Sequence, residues 1–333
     1  MGIKFLNNYF KKKCTEKSYQ RTHLNQFRGK TISVDISIYL YKFLAESAHV
    51  TTNETDNTNT VVCDMNIYME NLYLFLALFY YYHIIPIFVF DGKPPPEKRA
   101  ILKKRYNDKK TAETLYDEMY KTQTGSESDL HELCKKMVRI KTEHLENAKV
   151  LISAFGFQYI QSEAEADQNC VQYVQQGVAW ACLSDDTDLF LHGCARIIRN
   201  MNCSTHSCTV YYTESLLEEI GITRKRLVET LVVHGFTDYY QTVEKYDLYD
   251  ILDKAITQEK DEDLCSTYDA DSDISVVCDL FMKGGCMKGG CMKGGYYCTK
   301  NSDSFVDAYK VKGIINIPKI EQIMSNYGFV FVM

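Results

Sequence analysis

From Leu72 to Phe90 the chain carries no charged side chain, and the run then breaks into Asp91-Gly92-Lys93-Pro94. A stretch of that length could cross a bilayer as one helix. His83 and Pro86 lie inside it, however, and a proline there would break the helix. A buried helix over residues 65–82 running into a buried strand over 84–90 fits the pattern better, and no membrane partner is expected. Elements apolar on all sides need cover on both faces, which points to an α/β core. With 333 residues, 45% of them hydrophobic, the chain can bury one large domain or two smaller ones.

The flanking pattern agrees. Residues 31–34 form a short β-branched strand after Gly29, and 36–45 place Ile36, Leu40, Phe43 and Leu44 at helical spacing. Residues 50–60, rich in Asn and Thr, predict a surface loop. Three prolines open a charged segment, 93–145, with helical stretches from Glu97 and Asp129 and a break at Gly125-Ser126. Such an insertion should project from the sheet. The α/β pattern returns with a helix at 148–155, a strand at 157–160 and a helix capped by Ser162 and ended before Gly177. Strands at 178–183, 197–199 and 208–212 follow, then a helix from Thr213. Beyond lie an acidic stretch, 258–279, and a low-complexity block, 282–296, of Met-Lys-Gly-Gly-Cys units that predicts a linker. The apolar tail 329–332 is expected to dock on the body.

Net charge is −6, so any nucleic-acid binding requires local positive charge. Thirteen irregularly spaced cysteines, and lysines at 4 and 11–13 where a secretion signal would be apolar, predict reduced thiols inside a cell. Leu6 stands where an acylation signal wants Ser or Thr. Cys194, Cys203, His206 and Cys208 fit no zinc spacing. Asp269, Asp271 and Asp273 begin like a calcium loop, but Ile274 and Leu280 replace the required Gly and Glu.

The acids are more telling. Three predicted strands end in carboxylates: Asp35, Asp91, and the run Ser184-Asp185-Asp186-Thr187-Asp188. Ligands of open parallel sheets sit beyond the carboxyl ends of the strands. Glu163 and Glu165 open the next helix, where the dipole tolerates negative charge, and Asp238 follows a later one. One strand-end Asp alone is most often a turn former or cap. Asp35, Asp91, Glu163, Glu165, Asp186, Asp188 and Asp238 on one rim would repel unless cations lay among them, and Mg²⁺ is the usual hard divalent ion beside phosphates. Two such ions about 4 Å apart could clamp a phosphodiester.

At these residues the chain resembles a known family. Met1-Gly2-Ile3, Ser33-Val34-Asp35, Phe90-Asp91-Gly92-Lys93-Pro94-Pro95, Glu163-Ala164-Glu165-Ala166-Asp167 and Asp186-Thr187-Asp188 occur in the order seen in flap endonucleases and their XPG-type relatives, most similarly in versions carried by large DNA viruses. The likeness covers about residues 1–239. It implies a PIN-like 5′ nuclease fold, mainly parallel sheet flanked by helices, with a helical arch insertion and a degenerate helical C-terminal region. It implies a structure-specific 5′ flap endonuclease and 5′-3′ exonuclease for replication, repair or recombination, working in a nucleus or cytoplasmic viral factory on branched or 5′-flap DNA. Asp35, Asp91, Glu163 and Glu165 would face mainly one Mg²⁺, with Asp186, Asp188 and Asp238 around a second; Mn²⁺ should substitute. Lys98 and Arg105 would flank the scissile phosphate. Tyr41 would stack a base, Gly2 would lie near DNA, and Lys93, Arg99, Lys103 and Lys104 would meet phosphates.

The chain also departs from the family. Phe236 stands where a glycine is usual in the step ending Asp238-Tyr239, and residues 243–256 lack the glycine-rich hairpin that grips duplex DNA. The family's K⁺-assisted grip is therefore not carried over, and no motif supports a sliding-clamp partner. The expected organisation is a nuclease region at 1–92, the arch at 93–145, a second nuclease region at 146–239 and a C-terminal region at 240–333. Two other functions fit the same residues: a DNA-binding or scaffolding relative that no longer cuts, and a metal-dependent RNase.

Overall fold

The computed structural model describes residues 2–52, 59–242, 244–257, 272–282 and 313–331. The calcium-like positions 269 and 271, the block after Met282 and the last tail residue, 332, lie outside the described residues. The chain divides into two compact units: residues 1–35, 82–100 and 160–311, and residues 36–81, 101–159 and 312–333.

The first unit is built on a seven-stranded sheet. Its centre is parallel: β2 (Thr31–Asp35) pairs with β5 (Ile85–Phe90) on one side and β7 (Ala181–Leu183) on the other, and β7 pairs with β8 (Arg196–Asn202). The edge is antiparallel, with β9 (Ser207–Tyr212) between β8 and β1 (Tyr19–His23). Strand β1 has no alternating apolar pattern, so pairing with β9 places it; the sequence alone does not reveal it. β6 (Gln158–Gln161) closes the other edge.

Apolar helices cover this sheet. α1 (Leu6–Lys13), α7 (Ala166–Gln175), α8 (Asp188–Leu191), α9 (Thr213–Ile220), α10 (Arg224–Val233), α11 (Leu248–Thr257) and α12 (Asp273–Met282) share one core, in which Phe10 meets Phe190 edge-on at 4.9 Å. α11 occupies the stretch where the sequence lacks a glycine-rich hairpin, and it packs on α10.

In the second unit α2 (Ile36–Glu46) crosses α3 (Met65–Tyr81), with Tyr39 stacked on Phe75 at 4.6 Å. The loop expected at 50–60 is corrected at 50–52 and 59–60, while 53–58 lie outside the described residues. β3 (Ala48–Thr52) and β4 (Asn59–Cys63) form an antiparallel pair, because β-branched Val50, Thr51, Thr60, Val61 and Val62 favour extended backbone. α4 (Arg99–Thr122), in this unit from Ile101 onward, precedes α5 (Glu127–Met137), which a Ser126–Asp129 capping box opens. α5 is no free projection: it packs on α2 and β3 and buries Leu133, Cys134 and Met137. α6 (Thr142–Ala154) begins earlier than expected and meets α13 (Ile317–Ser325). There Gly156, at φ +72°, approaches Gly313 so closely that a Cβ would lie 2.4 Å from the Gly313 carbonyl oxygen. Phe329 and Phe331 of the tail pack around Tyr73, at 5.7 and 5.9 Å. No described helix is long and apolar enough to cross a membrane.

Candidate active site

Adjacent parallel strands β5, β2 and β7 bring their carboxyl ends to one edge of the first unit, and each delivers acid there. Asp35 is the last residue of β2, Asp91 follows β5, and the acidic run follows β7. Ser184 ties two of them together: its hydroxyl donates to Asp35 Oδ2 at 3.0 Å and accepts the Asp186 amide at 3.1 Å. The helix after β6 begins later than Ser162. Glu165 holds the N-cap position of α7, and the Asp91 carboxylate accepts the Ala166 amide at 2.8 Å, satisfying a helix-end donor from another strand.

This docking depends on Gly92. Its amide donates to the Ala164 carbonyl at 2.5 Å, and the Lys93 amide donates to the Glu163 carbonyl at 3.1 Å. A Cβ on Gly92 would stand 2.2 Å from the Ser162 carbonyl oxygen and 2.4 Å from that of Glu163, both backbone atoms. Gly92→Ala should therefore push Asp91 off α7 and cost about 1–3 kcal/mol of stability, as overpacking does. Denaturant unfolding checks this, and an unchanged midpoint would refute the docking.

Charge is crowded at this edge. Asp188 is fully buried, and among the described residues neither carboxylate oxygen has a hydrogen-bond partner. Burial, then Asp186, pushes its carboxyl well above the usual carboxylate range, with Asp238 and Asp167 adding to the effect and Lys98 opposing it. Burial, then Asp91, Asp167 and Asp186, does the same to Asp35. Asp186 and Glu165 are raised chiefly by burial as well. Lys98, only 8% exposed, brings a cation to this group: its Nζ lies 2.7 Å from Glu165 Oε1 and 4.3 Å above the Tyr239 ring. Burial alone would depress that ammonium, but Glu165, Asp167 and Asp188 hold it above the ordinary lysine range. Tyr239 donates its hydroxyl to Glu165 Oε2.

Asp35, Asp91, Glu165, Asp186, Asp188 and Lys98 thus gather at one edge, and Asp238, half-buried, is near enough to act on Asp188. Glu163 is exposed and enters through its backbone carbonyl. Gly2, at φ +72°, lies against Asp186 and Thr187, and the next amide, of Ile3, donates to Thr187 Oγ1 at 2.6 Å. Lys93 and Arg99 are exposed. Tyr41 and Arg105 belong to the second unit, where Lys109 Nζ sits 5.6 Å over the Tyr41 ring and Lys103 and Lys104 are exposed. Three side chains escaped the sequence reading as site residues: Asp167, His192 and Tyr239. Asp167 ends the Glu-Ala-Glu-Ala-Asp signature and Tyr239 follows Asp238, so position beside a marked acid was the available signal. His192 gave none.

Among the described residues, no three acid, histidine or cysteine side chains converge tightly enough to hold a metal ion. The donor set nevertheless suits one. A buried carboxylate with both oxygens unpartnered, beside further acids raised by burial and mutual repulsion, is stabilised by a hard divalent cation.

An acid-edged, largely parallel sheet with these signatures defines a class. A model of the XPG N-terminal domain matches residues 1–112 and one of the XPG I-region matches 156–238, together more than half of the chain. The chain belongs to the XPG-type flap endonuclease family. Flap endonuclease 1 of Sulfolobus acidocaldarius is 29% identical over 231 residues, 65% of this chain and 64% of the relative. That of Sulfurisphaera tokodaii is 30% identical over 64% of this chain and 63% of its own length, and that of Glossina morsitans morsitans 25% over 71% and 60%. The chain thus matches less than two thirds of these relatives' length. In fold it is similar to the catalytic core of Rad2 in complex with DNA substrate (TM-score 0.63, 19% identity, 99% of this chain and 96% of that one). It is similar as well to flap endonuclease-1 from Methanococcus jannaschii (TM-score 0.58, 17% identity, 98% and 99%).

Proposed function

We propose that this chain is a divalent-metal-dependent, structure-specific 5′ nuclease that hydrolyses DNA phosphodiesters at branched or 5′-flap structures. The observation that carries the reading is Asp188, buried with two unpartnered oxygens among acids from three adjacent strand ends. Asp35, Asp91, Glu165, Asp186, Asp188 and Asp238 would hold the metal, with Glu163 joining from the exposed rim; Mg²⁺ is the proposed ion and Mn²⁺ its substitute. When bound, the cations would supply an activated water and stabilise charge on the reacting phosphate.

The chain's own groups do the rest. Ser184 fixes Asp35 and Asp186 relative to one another, and Asp91 fixes the start of α7. Lys98 can exchange a Glu165 oxygen for a phosphate oxygen without leaving the site, since Tyr239 keeps Glu165 anchored from the other side. Arg105, Lys93, Arg99, Lys103 and Lys104 would meet phosphates and so position the strand without reading sequence. Tyr41 would stack an unpaired base. Tyr41→Ala should then weaken flap binding by about 1–3 kcal/mol, roughly 5- to 150-fold, measured by fluorescence anisotropy. Unchanged affinity would remove Tyr41 from the DNA path.

The deciding experiment presents labelled flap, nicked, gapped and four-way DNA, and an RNA-flap version, with Mg²⁺ or EDTA. Mg²⁺-dependent cutting of the DNA flap beside its junction supports the proposal. DNA binding with no product on any substrate would favour the scaffolding function, and preference for the RNA strand would favour an RNase.

A further inference from the structure

His192 is 1% exposed, yet nothing about packing calls for an imidazole there. Its ring sits 4.7 Å from that of Phe281, a seat that phenylalanine would fill equally well. Among the described residues neither ring nitrogen has a hydrogen-bond partner, a cost that an apolar ring would avoid. What the imidazole gains is Asp167, whose Oδ2 lies 3.6 Å from Nε2. Asp167 is itself 6% exposed on the first turn of α7, and its Oδ1 accepts the Gln168 amide at 2.6 Å. The main chain of His192 is fixed as well. Its amide donates to the Asp188 carbonyl at 3.0 Å, and its carbonyl accepts from Gln175 Nε2 at 3.3 Å.

The charge of Asp167 is felt across the site, by Asp35, Glu165, Asp186, Asp188 and Lys98. It is the acid these groups have in common. We infer that His192 is a positioning residue that fixes the Asp167 carboxylate beneath the acid cluster, and that the pair sets how strongly the cluster takes a divalent cation. The inference rests on reading the cluster as a metal site. A carboxylate that accepts the Gln168 amide on Oδ1 and faces the imidazole 3.6 Å away with Oδ2 is restrained in its rotamer, so its negative charge stays in place beside Asp188 and Lys98. Without the imidazole, Oδ2 is a buried acceptor free to turn toward Lys98, and that would alter the cation balance of the whole edge.

Titration of the full chain with Mn²⁺ alone, read from the electron paramagnetic resonance signal of the free ion, tests this without DNA or turnover. His192→Phe and Asp167→Asn should each weaken Mn²⁺ binding about tenfold or more, the usual scale for groups behind metal ligands. The double variant should be no weaker than the weaker single one, because both changes break one unit. His192→Gln, which can still donate to Asp167 from its amide, should restore most of the affinity; a purely space-filling role predicts no such rescue. Should His192→Phe fail to fold, Asp167→Asn and His192→Gln remain decisive. Wild-type binding with Asp167→Asn unchanged, or single effects that multiply in the double variant, would overturn the inference and leave the metal reading standing. Absence of Mn²⁺ binding by the wild-type chain would instead overturn the metal reading, and this inference with it.

Discussion

Asp188→Asn is expected to raise the melting temperature of the metal-free protein and to abolish cleavage. The two effects have one cause. A carboxylate at zero exposure with neither oxygen partnered is among the costliest groups a fold can bury, and a neutral amide of the same shape costs less. Each kcal/mol recovered should appear as roughly 2–4 °C in a unit of this size. Cleavage should fall by on the order of a thousandfold or more, about 4 kcal/mol, since a metal's charge stabilisation is worth several kcal/mol. DNA affinity should change little, because phosphate contacts come from the basic side chains. Gel-shift and flap-cleavage assays on one preparation check both.

The pH dependence has a definite sign. The folded-state values of Asp188 and Asp35 are raised, so the native state binds protons more tightly than the unfolded chain does. That contribution to stability is fully present below the unfolded carboxylate value, about 3.9, and is lost as pH rises through the folded values. Without metal, the melting temperature should therefore decline from acid toward neutral and alkaline pH. The advantage of Asp188→Asn should be largest at the alkaline end and vanish near pH 4. Saturating Mg²⁺ should flatten the wild-type profile. A variant that melts below wild type at every pH would show Asp188 to be partnered after all.

How far the sequence could be read follows from the kind of interaction involved. The edge positions of Asp35 and Asp91 were legible because strand period and chain break place each at or just past a strand end, and parallel pairing is enough to bring those ends together; Asp188 opens α8, a short turn beyond β7. The run 72–90 resolved into α3 and β5 for a similarly local reason, as Pro86 forbids one long helix. β1 was hidden because its residues, Tyr-Gln-Arg-Thr-His, are polar and extended only through pairing with β9. The hairpin of β3 and β4 was hidden by Asn and Thr, whose loop character masked their β-branched neighbours. Within the site, the partners were the illegible part. That Lys98 would turn onto Glu165, that Tyr239 would take the other oxygen, and that His192 would face Asp167 all depend on residues 25 or more positions apart meeting in three dimensions. No periodicity encodes such meetings.

Lys98→Met carries the second large effect. Lys98 Nζ lies 2.7 Å from Glu165 and feels Asp167 and Asp188 as well, and methionine keeps most of the side-chain stem while removing the ammonium. Breaking a buried pair by deleting one partner costs about 3–5 kcal/mol, because the remaining charge is stranded. The metal-free variant should accordingly melt on the order of 10 °C lower. Asp188→Asn moves the opposite way, so the two variants together test whether negative charge is in excess. A divalent cation is the ammonium's natural replacement. Mg²⁺ should therefore raise the melting temperature of Lys98→Met by more than it raises that of wild type. Restored folding should not restore turnover: loss of a preorganised cation beside the reacting phosphate costs about 10²–10³ in rate. Glu165→Gln added to Lys98→Met should recover part of the lost stability, since no carboxylate is then stranded. A Lys98→Met protein as stable as wild type, with the same response to Mg²⁺, would mean that the acids at this edge do not depend on a cation.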